Sequence, residues 1–427
     1  MMNNKKKVLV CSIPCWNKRI GSDTFSSLME GYDIDKIANL YVRDGVPDSE
    51  VCKNYFCISE NAVIKSIFSR KLIAGKHIIT DNIPKEQTNQ DKSIVAQYKG
   101  TSHKRNYLLI FVREFLWMIG KWKTKELDKF LDDFAPDTVF FAMEGYTHFN
   151  RINRYILKRT HAKGVGYFWD DNFTYKQSKS LGYKIYRFFQ RRDLKKTVKL
   201  CSDFFAISPK TKKEADEFFG IDCKILTKPV DFSNSEFAQY TPSLPIQMLY
   251  TGKLIIGRWD TIKIIGKALD IINKDSVKVK LDIYTTTVLG EKETNDLSPY
   301  VRLLGAIPQN EVAAVQQKAD VLLFAEALSG DNSKIARLSF STKITDYFRS
   351  GKCIFAVGDA DIAPMEYLKS EDAAFTATSF EEVLAALERI VVEPSLINDY
   401  AQKAYECGKK NHDKVNVKKI LFETLNG

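Results

Sequence analysis

The sequence predicts an α/β protein of two parallel-sheet halves joined by a short linker, and three observations carry that expectation. Apolar runs of strand length alternate with segments of helical periodicity along most of the chain. The alternation breaks at Leu226–Asp231 (LTKPVD) and the polar Phe232–Pro245, which holds two prolines, a composition suited to a domain joint. The chain has 427 residues, more than one core usually holds and suited to two domains of about 200 each. The expected domains are 1–228 and 229–407, with a last helix at about 408–427 returning to the first.

In the first half, strands are expected at Lys6–Ile13, Ile37–Val42, Tyr55–Ile58, Thr138–Met143, Gly164–Trp169 and Phe204–Ile207. The intervening helices are Asp23–Gly31, Tyr107–Phe134, Phe149–His161, Tyr183–Lys199 and Lys212–Phe219. From about residue 59 to Gln97 the chain is polar and weakly patterned. The second half repeats the alternation, with strands at Ile246–Thr251, Lys278–Tyr284, Val301–Leu304, Val321–Phe324 and Lys352–Val357. Its helices are Trp259–Asn273, Gln309–Lys318, one opening near Lys343, and Phe380–Ile390, and Asn398–Gly427 reads as helices.

Several chemistries lose their support at this level. The loop after the first strand lacks G-x-G-x-x-G, which a dinucleotide fold needs there, and no G-x-x-x-x-G-K-[ST] occurs. Eight cysteines include no CxxC pair, so they read as reduced thiols rather than zinc ligands. No run of 18 apolar residues is present, and the first apolar run leads into Asn17-Lys18-Arg19 without a small-residue cleavage site. A cytosolic protein is expected.

The chain carries 64 basic and 53 acidic residues, net +11. Residues 151–199 alone hold 14 basic and 3 acidic side chains, an excess as large as that of the whole chain. Such a concentration suits an anionic partner: a nucleotide, a nucleic acid or a membrane surface. On a helical wheel Lys184, Phe188, Arg191, Lys195 and Lys199 share one face, while Tyr183, Tyr186, Phe189, Leu194 and Val198 are expected to face the sheet. The basic face suits peripheral attachment to an anionic leaflet; a solvated face that binds nothing is the alternative. Tyr107–Trp122, with Trp117 and Trp122, is expected either in the core or at an interface.

The stretch most suited to chemistry is Ser341–Gly358, STKITDYFRSGKCIFAVG. Ser341 and Thr342 suit a helix cap, so free N–H groups, the helix dipole and Lys343 would face one point, a place for a diphosphate. Asp346, one turn on, is placed to bind a ribose, and Gly351 stops the helix. An ordinary capped helix is the alternative. Lys253 and Arg258 flank the turn between Ile246–Thr251 and the helix at Trp259, where both can meet a phosphate. Asp170-Asp171 ends a strand and could orient or deprotonate a hydroxyl, bind a metal, or cap the next helix. Gly21 is a candidate for close approach of backbone to a phosphate from the first half.

Four stretches resemble the GT-B glycosyltransferases, and glycosyltransferase family 4 in particular: Leu249–Arg258 (LYTGKLIIGR), Val301–Leu323 (VRLLGAIPQNEVAAVQQKADVLL), Ser341–Gly358, and the pair ISPKT and LTKPVD. The family's arginine and lysine stand here in reverse order, as Lys253 and Arg258. The family's pair of glutamates is absent: Leu338 stands where the first would fall, Asp346 replaces the second, and Glu326 lies too far upstream to substitute. The resemblance implies two Rossmann-like domains facing a cleft, with donor contacts from Gly21, Gly252, Gly305, Ala306, Ser341, Thr342, Lys343 and Asp346 and catalysis by Lys253, Arg258 and Asp170.

It further implies a retaining transfer from a nucleotide-sugar to a glycan or lipid-linked acceptor in capsule, O-antigen or exopolysaccharide synthesis, at the inner face of the plasma membrane. No cofactor and no obligatory metal are expected, because cations and helix N-termini can neutralise the diphosphate. A GT-B epimerase or phosphorylase shares the fold. A basic nucleic-acid binder fits the charge, although no binding module is visible and no nucleic-acid partner is expected.

Overall fold

The structure, a computed structural model, describes residues 5–11, 24–42, 45, 47, 49–69, 72–80, 107–233, 235–242 and 244–427. Gly21 and the segment from 81 to 106 lie outside the described residues. The first sheet contains β1 (Val8–Cys11), β2 (Ile37–Tyr41), β3 (Asn54–Ile58), β4 (Gly75–Ile79), β5 (Thr138–Ala142), β6 (Lys163–Phe168), β7 (Asp203–Ala206) and β8 (Cys223–Ile225). Their order is β4-β3-β2-β1-β5-β6-β7-β8, parallel except for β4 against β3. The second sheet contains β9 (Ile246–Thr251), β10 (Val279–Tyr284), β11 (Val301–Gly305), β12 (Val321–Ala325), β13 (Cys353–Val357) and β14 (Phe375–Ala377), in the order β11-β10-β9-β12-β13-β14. β1, β2, β5, β12 and β13 are buried at every position, as continuous apolar runs covered on both faces require.

Both sheets reverse direction once, between β1 and β5 and between β9 and β12. In open α/β sheets, ligands bind outside the carboxyl ends of the strands at such a reversal. β9 and β12 pair at Val321–Met248 and Leu322–Leu249, so the residues after Thr251 and after Ala325 emerge side by side.

The helices of the first half are α1 (Thr24–Met29), α2 (Glu60–Ser66), α3 (Tyr107–Ile119), α4 (Lys125–Phe134), α5 (Thr147–Thr160), α6 (Leu181–Val198) and α7 (Pro209–Phe219). Two features differ from expectation. The weakly patterned stretch after residue 59 contains α2, capped by Ser59, and the antiparallel edge strand β4, whose half-exposed side chains hide its strand pattern. The single helix expected over 107–134 is two. The chain breaks at Gly120, where a Cβ would stand 2.5 Å from Val63, and restarts at the Thr124 cap.

The basic helix α6 turns its faces largely as expected, with Tyr183, Tyr186, Leu194 and Val198 buried and Lys184, Phe188, Lys195 and Lys199 exposed, and departs at two residues. Arg191 turns inward, donating to the Phe173 carbonyl at 2.7 Å with its guanidinium over the Phe218 ring, whereas Phe189 is exposed. Arg192 takes the outward place. On α3, Trp117 is buried, but Leu108, Leu109, Val112, Phe115, Met118 and Ile119 are exposed.

The second half carries α8 (Arg258–Ile272), α9 (Glu291–Asn295), α10 (Val312–Gln317), α11 (Gly330–Ala336), α12 (Thr342–Ser350), α13 (Ala363–Ser370), α14 (Phe380–Val392), α15 (Ser395–His412) and α16 (Lys414–Asn426). α16 lies against the first sheet: Thr138 donates to the Leu425 carbonyl at 2.9 Å, the Lys6 amide to Asn426 at 2.9 Å, and Lys418 pairs with Glu30 at 2.8 Å.

α12 is held from behind by α15. At their crossing a Cβ on Gly408 would lie 2.5 Å from Phe348 Cβ and 2.9 Å from Phe232. Gly408→Ala gains up to about 1 kcal/mol of helix propensity but forces a separation that costs about 1–3 kcal/mol. A lower midpoint in denaturant is expected, and an equal or higher one would mean that the two helices yield.

Candidate active site

The turn from β9 into α8 sets the site. Gly252, the first residue after β9, has φ of 144°, which L side chains avoid, and its amide donates to the Tyr284 carbonyl at 2.9 Å. A Cβ there would stand 2.0 Å from Lys343 Nζ. The glycine is therefore required twice, for its conformation and for the passage of a lysine arriving from the opposite side of the cavity. Further along, Ile256 has φ of 58° and Gly257 φ of 77°. A left-handed β-branched residue is uncommon and strained. This tight turn separates Lys253 from Arg258 and sends their side chains to different partners.

Lys253 lines a cavity of about 200 Å³ with Gly252, Thr285, Thr286, Lys343 and Asp346, closed by Ile307 and Val312. Lys343, at the start of α12, donates to the Tyr250 hydroxyl at 3.2 Å and lies 4.5 Å from the centre of its ring. Tyr250 in turn donates to the Lys253 carbonyl at 2.8 Å, which ties the two lysine-bearing segments together. Burial, aided by the Arg258 charge, pushes the Lys343 ammonium down to about 8.

Arg258 does not line the cavity. It forms a bidentate pair with Glu326, at 2.9 and 2.7 Å, with both side chains largely buried. The expectation that Arg258 faces a phosphate as a free cation is corrected accordingly. Glu326, set aside at the sequence level for its distance along the chain, follows β12 and so meets the β9–α8 turn across the sheet reversal.

The other residues separate. Asp346 lines the cavity, half exposed, 3.7 Å from Lys228 of the linker. Lys228 was missed, because a lone lysine beside a proline carries no periodic signal. Ser341 precedes α12, but its side chain makes no cap hydrogen bond, and neither Ser341 nor Thr342 lines the cavity, contrary to expectation. Gly305 ends β11 at φ of 76°, and its carbonyl accepts the Thr285 amide at 2.7 Å; it positions Thr285 while Ile307 supplies the wall. Ala306 is exposed beside it.

Asp170 is exposed, and its carboxylate accepts the Ser339 hydroxyl, so it sits against the second half just ahead of α12. Asp171 is buried and caps its own loop, accepting the Thr174 amide at 2.9 Å. It also faces Arg337 of the second half at 3.4 Å. Arg337 is itself buried and forks onto Glu214 of α7. Around this contact, Thr211 donates to the Leu338 carbonyl at 3.0 Å, and Lys210 pairs with Asp361 and Glu366, each at 2.7 Å. The face of the first half that carries Asp170 is thus held against α11–α13.

A buried ion pair broken on one side leaves an uncompensated charge, at a cost of about 3–5 kcal/mol, whereas removing both partners is far milder. Glu326→Leu is expected to destabilise the chain by about that amount, and Arg258→Met added to it should restore most of the loss. Chemical denaturation of the two single variants and the double variant reads the coupling, and simple additivity would show that the pair is not a unit.

No family model matches the chain, and no curated protein matches it in sequence. Solved structures do. Anabaena HepE in complex with UDP is similar at 13% identity, with 98% of this chain and 99% of that chain covered and a TM-score of 0.59. Sucrose-phosphate synthase from Thermosynechococcus elongatus gives 10% identity, 98% coverage of both chains and 0.59. Trehalose 6-phosphate synthase from Burkholderia multivorans gives 10% identity, 99% and 98% coverage and 0.57. The likeness spans both halves, and with the sheet orders above it establishes that the chain has the GT-B fold of glycosyltransferases.

Proposed function

We propose that the protein is a retaining glycosyltransferase that moves a sugar from a nucleotide-sugar donor to a glycan or lipid-linked acceptor. The observation that carries this reading is the cavity at the β9/β12 reversal, where Lys253 and Lys343 present two ammonium groups and Asp346 one carboxylate. As the sugar departs, negative charge grows on the diphosphate, and a cation about 4 Å away contributes on the order of 4 kcal/mol at an effective dielectric of 20. Lys253 and Lys343 supply that charge. Arg258 acts one step back: with Glu326 it fixes the turn. In this proposal Asp346, which lines the cavity, is assigned to a ribose hydroxyl and Asp170 to the acceptor.

A uridine diphosphate sugar is the first donor to try, because HepE, similar in fold, has been crystallised with UDP and with UDP-glucose. An acceptor for capsule, O-antigen or exopolysaccharide synthesis, met at the inner face of the plasma membrane, completes the proposal.

The test is donor binding and turnover. UDP should raise the melting temperature, by an amount equivalent to about 2.7 kcal/mol at 100 times its Kd. Lys253→Ala and Lys343→Met should each lower turnover about 100-fold or more, equivalent to about 2.7 kcal/mol of lost stabilisation. Near-normal turnover in either folded variant would remove that lysine from the mechanism.

A pH profile isolates Lys343. The diphosphate attracts the charged form, so affinity is full below pH 8 and declines as pH rises through the value of about 8. A roughly tenfold weaker Kd at pH 9 than at pH 7 is expected, and Lys343→Met should flatten the profile. A flat profile in the unaltered protein would dismiss the ammonium. Because the lysines already neutralise the diphosphate, activity should survive EDTA; complete loss restored by Mg²⁺ or Mn²⁺ would reverse that expectation.

A further inference from the structure

A second cavity lies far from the donor lysines in sequence, among α3, α5 and α6, with a volume of about 540 Å³. Its walls are apolar: Phe111, Phe115 and Met118 from α3, Tyr186 and Phe189 from α6. Phe111 packs on Tyr186 and Phe189 at 5.9 and 6.1 Å between ring centres, so the two helices form one continuous surface. Outside the cavity this surface stays apolar. Leu108, Leu109, Val112 and Ile119 on α3, with Leu181, Ile185 and Phe188 on α6, are all at least 44% exposed. Single exposed apolar residues are ordinary, but a contiguous patch of this kind marks a binding face.

The polar groups of the cavity are unequal. Its two acids are already engaged: Glu114 accepts from Thr147 and from both the amide and ring of His148, and Asp193 pairs with Arg154 at 2.7 Å. Its three cations are not. Among the described residues Arg151, Arg192 and Lys196 have no ion pair, and Arg151 Nη1 is buried without any hydrogen-bond partner. A buried guanidinium nitrogen with nothing to donate to is costly, and an anion is its natural complement.

We propose that this groove seats a phosphate-headed membrane lipid, with its phosphate against Arg151, Arg192 and Lys196 and its hydrocarbon along Phe111, Phe115, Met118 and Phe189. The charge selects an anion and the continuous apolar face selects one that carries a chain. α3 is about 20 Å long at 1.5 Å per residue, longer than one leaflet, about half of a hydrocarbon core about 30 Å thick, so a single acyl chain can lie along it. The site deepens the proposed function, resting on its reading of a lipid-linked acceptor.

Co-sedimentation with vesicles of phosphatidylcholine, with and without phosphatidic acid, tests the site, together with titration by a soluble short-chain phosphatidic acid. Saturable binding of the short-chain lipid is expected, and inorganic phosphate at the same concentration should not displace it. Vesicle binding should need phosphatidic acid and fall at least tenfold in Phe115→Ser/Met118→Ser and in Arg192→Glu/Lys196→Glu, all exposed positions. Equal binding to neutral vesicles, displacement by inorganic phosphate, or unchanged binding in either double variant would each overturn the proposal. The UDP thermal shift, read in parallel, separates the two sites: lipid binding without a UDP shift leaves this groove standing and removes the donor reading, and the converse removes the groove alone.

Discussion

The Arg258–Glu326 pair is the constraint on which the cavity at the β9/β12 reversal depends. It joins the first turn of α8 to the residue that follows β12, the two sides of the one point where the second sheet's strand order reverses. Because the pair is largely removed from water, neither group can leave it cheaply, and the strained Ile256–Gly257 turn is held shut around it. The pair is neutral as a unit. Of the cations near the turn, Lys253 and Lys343 therefore give the cavity its positive charge. One ion pair thus performs two tasks, fixing the backbone and leaving the field of the site to two lysines.

The contact between the two halves is built differently. Arg337 is buried between Asp171 and Glu214 of the other half, and Glu214 also meets Lys176 at 3.1 Å. One cation facing two carboxylates, one of them shared with a second cation, is a network in which each member is partnered. Such networks contribute specificity of alignment more than raw stability. Asp171 and Lys176 come from a loop, Arg337 from the end of α11 and Glu214 from the middle of α7, so the network ties a loop and a helix of one half to the other.

Much of the fold was legible because parallel strands buried on both faces announce themselves as apolar runs, and nearly all predicted strands fall within a residue or two of the observed ones. What escaped notice was partly exposed or interrupted, such as β4 at the sheet edge and the Gly120 break inside an apolar run. The site was legible where a local motif carried it: Gly252, Lys253, Lys343 and Asp346 do gather around one cavity. Glu326 was not, because distance along the chain says nothing about neighbours across a sheet reversal. Arg191 and Phe189 were misassigned for a subtler reason. One step around a helix is about 100°, and α6 packs on several elements, so no simple two-sided wheel describes it.

The chain passes between the halves twice, once at the linker and once where α15 gives way to α16. The two passages touch: the Val230 amide donates to the His412 carbonyl and the Lys414 amide to the Val230 carbonyl, both at 2.8 Å, in a small parallel bridge beside Asp413. Two anchored strands side by side define a line, where one tether would define only a point. Rotation about that line would have to part Arg337 from Asp171 and Glu214 and Lys210 from Asp361 and Glu366, so the line is an axis and those pairs are its latch. Any motion that widens the cleft also parts Asp170 from Ser339, so the contact just ahead of α12 reports whether the halves are together.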